Sequence, residues 1–141
     1  MRLVTRGDLD GLTASVLISE MEQVDEILLV HPQDITDNDI MANLPYDDRA
    51  SLWFDHHAHT VMPEGNYRGA YAVAPSVARV IYDYYQSEQL KRFEHLVKET
   101  DRFDSADLSM ADVRNPQEAI LLGFLIDPRT GMGGDFKAQF S

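Results

Sequence analysis

Two short clusters in this chain carry side chains whose types and spacing suit chemistry on a phosphate. The first is Asp8-Leu9-Asp10-Gly11. Two carboxylates two residues apart in a turn can converge on one point, and like charges that close are costly unless a cation lies between them. Oxygen ligands of this kind suit Mg²⁺ or Mn²⁺. The plainer reading is a capping aspartate beside a turn aspartate. The second cluster is Asp55-His56-His57. Imidazole beside carboxylate is a ligand set for Mn²⁺, Fe or Zn²⁺, and one histidine can coordinate while its neighbour turns to a substrate phosphate. The plainer reading is a polar turn with a satisfied histidine. A third stretch, residues 98–104 (KETDRFD), offers Asp101 or Asp104 as a further carboxylate and by itself reads as a solvated loop.

The elements around these clusters decide whether they can meet. Residues 2–5 read as a buried strand, broken at 7–11. Leu12, Val16, Leu17 and Ile18 then fall near one helical face up to Met21, with Asp10 placed to cap that helix. Residues 26–30 (EILLV) form a second apolar run, stopped by His31-Pro32. Strand, helix, strand predicts a parallel pair with a right-handed crossover. A short strand is expected at 40–44, before Pro45, and another at 51–54, ending directly in Asp55-His56-His57. Residues 60–74 read as loop with a short extended piece at 70–73. Three helical faces follow, marked by Val77, Val80, Ile81 and Tyr84, by Leu90, Phe93 and Val97, and by Ile120, Leu121, Phe124 and Leu125. Residues 100–112 between the last two are polar and acidic. The expected fold is α/β, a parallel sheet with helices on both faces. Residues 1–126 form the domain, and residues 127–141 a glycine-rich tail or linker. Both clusters then fall at C-terminal strand ends of one sheet, where open α/β sheets bind ligands. That shared rim favours a metal site over two unrelated polar turns.

Composition narrows the partners. The chain has 141 residues, 12 basic and 24 acidic, for a net charge of −12. The acidic balance argues against duplex nucleic acid and anionic membrane, but not against a phosphate substrate, because a bound divalent cation inverts the local field. There is no cysteine, which excludes disulfides, thiolate zinc sites and thiol catalysis. No apolar run approaches the ~18 residues that span a bilayer. A cytoplasmic protein is expected, and a homo-oligomer is compatible with the sequence. His59 and His95 read as exposed, Trp53 and Phe54 as core, and Arg79 and Arg129 as surface salt-bridge partners by default.

RGDLDG followed by DHH, and then by an aspartate after a helix, resembles the DHH phosphoesterase superfamily. The phrases TRGDLDGLTASVLI, HPQD, NLPY, LWFDHH, APSVARVIYDYY and DPRTGMG look most like its exopolyphosphatase-related branch, from about Leu3 to Phe136. The resemblance implies two Mn²⁺ ions (Mg²⁺ in their place) that activate a water for attack on phosphorus. The substrate would be a small phosphate compound such as polyphosphate or a short nucleotide. It implies Asp8 as ligand to a first metal and Asp10, His56 and Asp101 to a second. His57 would face the substrate phosphate, and Asp55 would orient the histidines. Asp101 matches the family's fourth motif better than Asp104, because it follows the helix directly. Members of the family also carry a second, C-terminal lobe that binds substrate, and this sequence is expected to lack it.

The sequence departs from that pattern in two places. Arg6 stands where the family has a histidine or aspartate ligand. For the aspartate that bridges both metals the candidates are Asp39, Asn43 and Asp34. A guanidinium cannot coordinate a cation. Arg6 is therefore expected to replace the first metal, paired with Asp8 or binding a substrate phosphate beside His57, or else to turn to solvent. One strong metal follows. The alternatives are a catalytically inactive domain that binds a phosphate ligand or regulates, and a haloacid-dehalogenase-type phosphatase. DLDGLT is similar to the latter's nucleophile loop, with Leu12 breaking the pattern.

Overall fold

The structure, a computed structural model, describes residues 1–29 and 35–126. His31, Asp34, Arg129 and the 127–141 tail lie outside the described residues. The chain runs β1 (Arg2–Thr5), α1 (Leu9–Met21), β2 (Glu26–Leu29), β3 (Ile40–Ala42), β4 (Leu52–Asp55) and β5 (Gly69–Tyr71). It continues through α2 (Val77–Tyr85), a 3₁₀ segment (Glu88–Phe93), α3 (Glu94–Asp104), α4 (Met110–Arg114) and α5 (Glu118–Ile126). The five strands form one sheet in the order β2-β1-β3-β4-β5, every neighbouring pair parallel. No helix among the described residues is long and apolar enough to cross a membrane.

Strand alternation divides the core into two layers. Leu3, Ile40, Ala42, Leu52 and Phe54 pack against Ala14, Leu17 and Ile18 of α1, Val77, Val80 and Ile81 of α2, and Val97 of α3. The intervening side chains Val4, Met41 and Trp53 point the other way, onto Ile35, Leu44 and the half-buried Tyr46, Tyr67 and Tyr71. The expected α/β fold with a parallel sheet is found, and among the described residues α1, α2 and α3 pack on the first of these faces. Among the described residues the second face is closed by aromatic rings. Trp53 meets Tyr46 and Tyr67 edge-on at 5.2 Å and stacks on Tyr71 at 6.0 Å, while its indole N–H donates to the Leu44 carbonyl at 2.9 Å. Rings of this size cover a short-stranded sheet without a helix.

Two element boundaries also differ from expectation. Asp8, not Asp10, caps α1: its Oδ1 accepts from the Gly11 N–H at 2.8 Å. That leaves the Asp10 carboxylate free to leave its own helix. The helix expected to stop before Thr100 runs on to Asp104, because Val97, Thr100 and Phe103 continue its buried stripe. The Thr100 hydroxyl shares a buried hydrogen bond with Thr13 of α1 at 2.7 Å, so this last turn is anchored rather than frayed. A fourth short helix, α4, opens on a capping box between Ser109 and Asp112.

Gly11 sets the approach of α1 to β1. A Cβ there would overlap the Arg6 carbonyl oxygen. Gly11→Ala would gain up to ~1 kcal/mol of helix propensity, but forced overpacking against fixed backbone costs ~1–3 kcal/mol. Net destabilisation is expected from urea unfolding, with a loosened Asp8–Asp10 turn.

Candidate metal centre

The rim formed by the C-terminal ends of β1, β3 and β4 is where the polar side chains gather. Asp10 follows the turn after β1 and is 1% exposed. Its Oδ2 accepts from the Val77 N–H at 2.9 Å and its Oδ1 from the Ala78 N–H at 3.0 Å. These are the first two amides of α2, which Ser76 caps, so a carboxylate from one helix is held at the positive end of another. Burial nevertheless pushes its pKa well above the usual carboxylate range, and the Asp104 and Asp8 charges push it the same way.

His56, just past β4, supplies the nitrogen. Its Nδ1 lies 2.9 Å from the Ala74 carbonyl. A carbonyl only accepts, so Nδ1 carries the proton and Nε2 is a free lone pair in the neutral ring. Nε2 is 3.4 Å from an oxygen of Asp10 and 3.4 Å from an oxygen of Asp104. Neither approach has hydrogen-bond geometry, and the buried Nε2 has no partner. One ligand atom from each of Asp10, His56 and Asp104 lies within 4.8 Å of the others. An orphaned buried acceptor between two like charges is a poor arrangement for the protein alone, and a good one around a divalent cation. Two oxygens and an imidazole nitrogen fit Mn²⁺, Fe or Zn²⁺ better than an all-oxygen Mg²⁺ site.

The structure does not bring Asp101 into this group. Asp101 accepts the Ser76 hydroxyl at 2.6 Å and the Arg79 Nε and Nη2 at 3.0 and 2.8 Å. It ties the capped end of α2, whose amides hold Asp10, to the helix that carries Asp104. Sequence reasoning weighed the two aspartates by where the helix ended. Periodicity does not separate them, since Asp101 is four residues after Val97 and Asp104 four after Thr100; only the packed position of the helix does.

Asp39 is also elsewhere. It precedes β3 at the opposite end of the sheet. Arg2 holds it with two bonds of 2.9 and 2.6 Å, and the Thr36 N–H donates to it at 2.8 Å. Burial raises its pKa, but these donors outweigh burial and lower it. Asn43 does reach the rim, directly after β3, in the left-handed region with φ 65°. Its buried Oδ1 is without a partner, as is Thr5 Oγ1 at the end of β1. Together with His56 Nε2, these unpartnered atoms sit at the ends of three neighbouring strands. Asp8 is half-buried, with one oxygen used in capping. Arg6 is exposed and forms no ion pair with Asp8.

Asp55 and His57 make a second unit beside the first. His57 Nδ1 is 2.6 Å from Asp55 Oδ1, and the Thr60 hydroxyl bonds the other oxygen. Burial alone would raise the Asp55 pKa, but these bonds and the His56 amide lower it. The Asp55 bond raises that of His57, against its partial burial and Arg6. His57 and Arg6 both open on one cleft of about 460 Å³.

No family model matches the chain, and no curated protein does. Among solved structures it is similar to the pGpG-specific phosphodiesterase PggH of Vibrio cholerae, with 36% identity and a TM-score of 0.78 over 92% of this chain. The match covers 45% of that protein, so this chain spans under half its length. The likeness supports a phosphodiesterase fold.

Two outcomes follow. Arg79→Gln or Asp101→Asn should weaken Mn²⁺ binding roughly 10-fold, the usual scale for a residue that orients a ligand, measured by titration calorimetry. The His57 imidazole should titrate above its ordinary value of ~6.5 by NMR, returning toward it in Asp55→Asn. Because the folded-state pKa is the higher one, the stability from this pair is fully present below the unfolded value. It fades as pH rises through the folded one.

Proposed function

We propose that this domain hydrolyses phosphodiesters in a metal-dependent reaction of the DHH phosphoesterase type, on a small substrate such as a dinucleotide. The observation that carries the reading is the buried His56 Nε2, unpartnered between Asp10 and Asp104. Asp104 rather than Asp101 is the third ligand in this reading, and Asp101 is a positioning residue. When bound, the cation supplies a water of lowered pKa and neutralises charge on phosphate oxygens. Mn²⁺ is the preferred ion on ligand type. The Ala74 carbonyl keeps the His56 lone pair aimed into the group, and the α2 amides hold Asp10. His57, braced by Asp55, faces the phosphate and stabilises its developing charge. The exopolyphosphatase-related branch and a cytoplasmic setting remain part of the proposal on the sequence motifs.

A second reading, a phosphate-binding module without turnover, is favoured by a specific observation. Asn43 holds the strand end where a bridging carboxylate would serve a second metal, and among the described residues only one group of three ligands forms.

Three measurements test this. Mn²⁺ at 100 times its dissociation constant should add ~2.7 kcal/mol of stability. Asp10→Asn, His56→Ala and Asp104→Asn should abolish that gain, and Asp39→Asn should not. Metal-dependent cleavage of a short dinucleotide should stop with EDTA and in Asp104→Asn. A melting temperature unmoved by millimolar Mn²⁺ overturns both readings, while tight metal binding with no cleavage selects the second.

A further inference from the structure

We propose that Tyr71 is a positioning residue for His57: it fastens the main chain of that histidine to the edge of the sheet, so that the imidazole keeps one direction at the rim. The inference rests on the phosphodiesterase reading, in which His57 faces the phosphate, and it adds a residue that lies outside the group of Asp10, His56 and Asp104.

His57 needs such a support more than its neighbour does. His56 is buried, and its ring is fastened by the Ala74 carbonyl. The His57 side chain is 45% exposed, and the residue stands in the turn after β4 rather than in the strand. Asp55 holds its ring at one nitrogen, which leaves the main chain of the turn free to swing about that point. The His57 carbonyl accepts two bonds that stop this. The Thr60 N–H donates to it at 3.2 Å and closes the turn on itself, while the Thr60 hydroxyl ties the far end of the turn back to Asp55. The Tyr71 hydroxyl donates to the same carbonyl at 2.6 Å from 14 residues further along the chain. It is the bond on this carbonyl that joins the turn to another strand.

The sheet and its aromatic layer make Tyr71 able to do this. The β4–β5 register sets Tyr71 beside Asp55, and strand alternation puts Trp53 and Asp55 on one face. The Tyr71 ring stacks on the Trp53 ring, planes parallel and centroids 6.0 Å apart. Trp53 is itself fully buried and held by the Leu44 carbonyl. A tyrosine has only two side-chain torsions, and stacking fixes them, so the hydroxyl is delivered to one point with little freedom left to lose. β5 is the last strand of the sheet. Its backbone pairing fades at this end: the Ala72 N–H reaches the Asp55 carbonyl at 3.4 Å, beyond the usual ~2.9–3.0 Å. The Tyr71 hydroxyl extends the pairing by one more link, to His57. Tyr67 belongs to the same aromatic layer, edge-on to Trp53, but its hydroxyl bonds nothing among the described residues.

Tyr71→Phe is the test, because it keeps the stacked ring and removes only the hydroxyl. In metal-free protein, ¹⁵N relaxation should show the His57 and Ala58 amides falling from the order parameter of rigid backbone, ~0.85, toward ~0.6, while the amides of α1 stay rigid. Melting temperature and Mn²⁺ affinity by calorimetry should be unchanged, since Ala74 and the α2 amides hold the ligand group independently. Metal-dependent cleavage of a short dinucleotide should lose roughly three- to tenfold in kcat, the scale of one hydrogen bond. KM should not move, as expected for a contact that matters in the transition state. Tyr67→Phe should change none of these. A His57 turn as rigid in Tyr71→Phe as in the wild type overturns the proposal. So does an equal effect of Tyr67→Phe, or a fall in melting temperature or Mn²⁺ affinity that accounts for the lost kcat. A loosened turn with no cleavage even by the wild-type chain removes the hydrolase reading and retains the placement of His57 by Tyr71. Wild-type cleavage that Tyr71→Phe leaves intact does the reverse.

Discussion

Asp10 and Asp104 face one imidazole nitrogen on the rim, Asp10 and His56 buried and Asp104 open to solvent. Two carboxylates about 5 Å apart repel by roughly 3–4 kcal/mol at an effective dielectric of about 20. The α2 amides offset part of this at Asp10. A proton can relieve the repulsion by neutralising one carboxylate, which is the direction in which the Asp10 pKa moves. A divalent cation relieves it without that loss and satisfies the orphaned His56 Nε2 as well. The site is thus defined by two carboxylates and one imidazole nitrogen that the surrounding structure brings together.

The sheet is the means of bringing them together. Parallel strands deliver their C-terminal ends to one edge, so Thr5, Asn43 and His56 arrive side by side from β1, β3 and β4. Helices on one face then bring in what strands cannot. The α2 N-terminus receives Asp10, and α3 presents Asp104. The Ser76–Asp101–Arg79 bonds lock these two helices to each other, and the Thr13–Thr100 bond locks α3 to α1. On the other face the aromatic layer around Trp53 holds Tyr46 at the mouth of the neighbouring cleft. The same packing that closes the core therefore shapes the surface beside the metal centre.

The similarity to a pGpG-specific phosphodiesterase over 92% of this chain agrees with that geometry in kind. The site also has its own features. Asn43 stands at the end of β3 and Arg6 directly follows β1, so neither of these strand ends adds a carboxylate to the rim.

Much of this was legible in the sequence. Alternating apolar runs ended by Asp8-Leu9-Asp10-Gly11 and by Asp55-His56-His57 require a parallel sheet and place both clusters on its rim, because strand direction follows from the strand–helix–strand order. The resemblance to the DHH phosphoesterases marked Arg6 and Asn43 as departures from its motifs. The rest depended on contacts between residues distant in sequence. Whether Asp8 or Asp10 capped α1 was settled by where the α2 amides lay, 67 residues on. Asp101 and Asp104 are one helical turn apart, and only the packing of α3 against α1 and α2 turned one toward Arg79 and the other toward His56. Asp39 was an acceptable ligand by type and order, but the β1–β3 register set it beside Arg2 at the far end of the sheet. Residue types and strand order specified which chemistry this domain can host. Helix rotation and strand register, which arise only when the layers pack, decided which carboxylates take part.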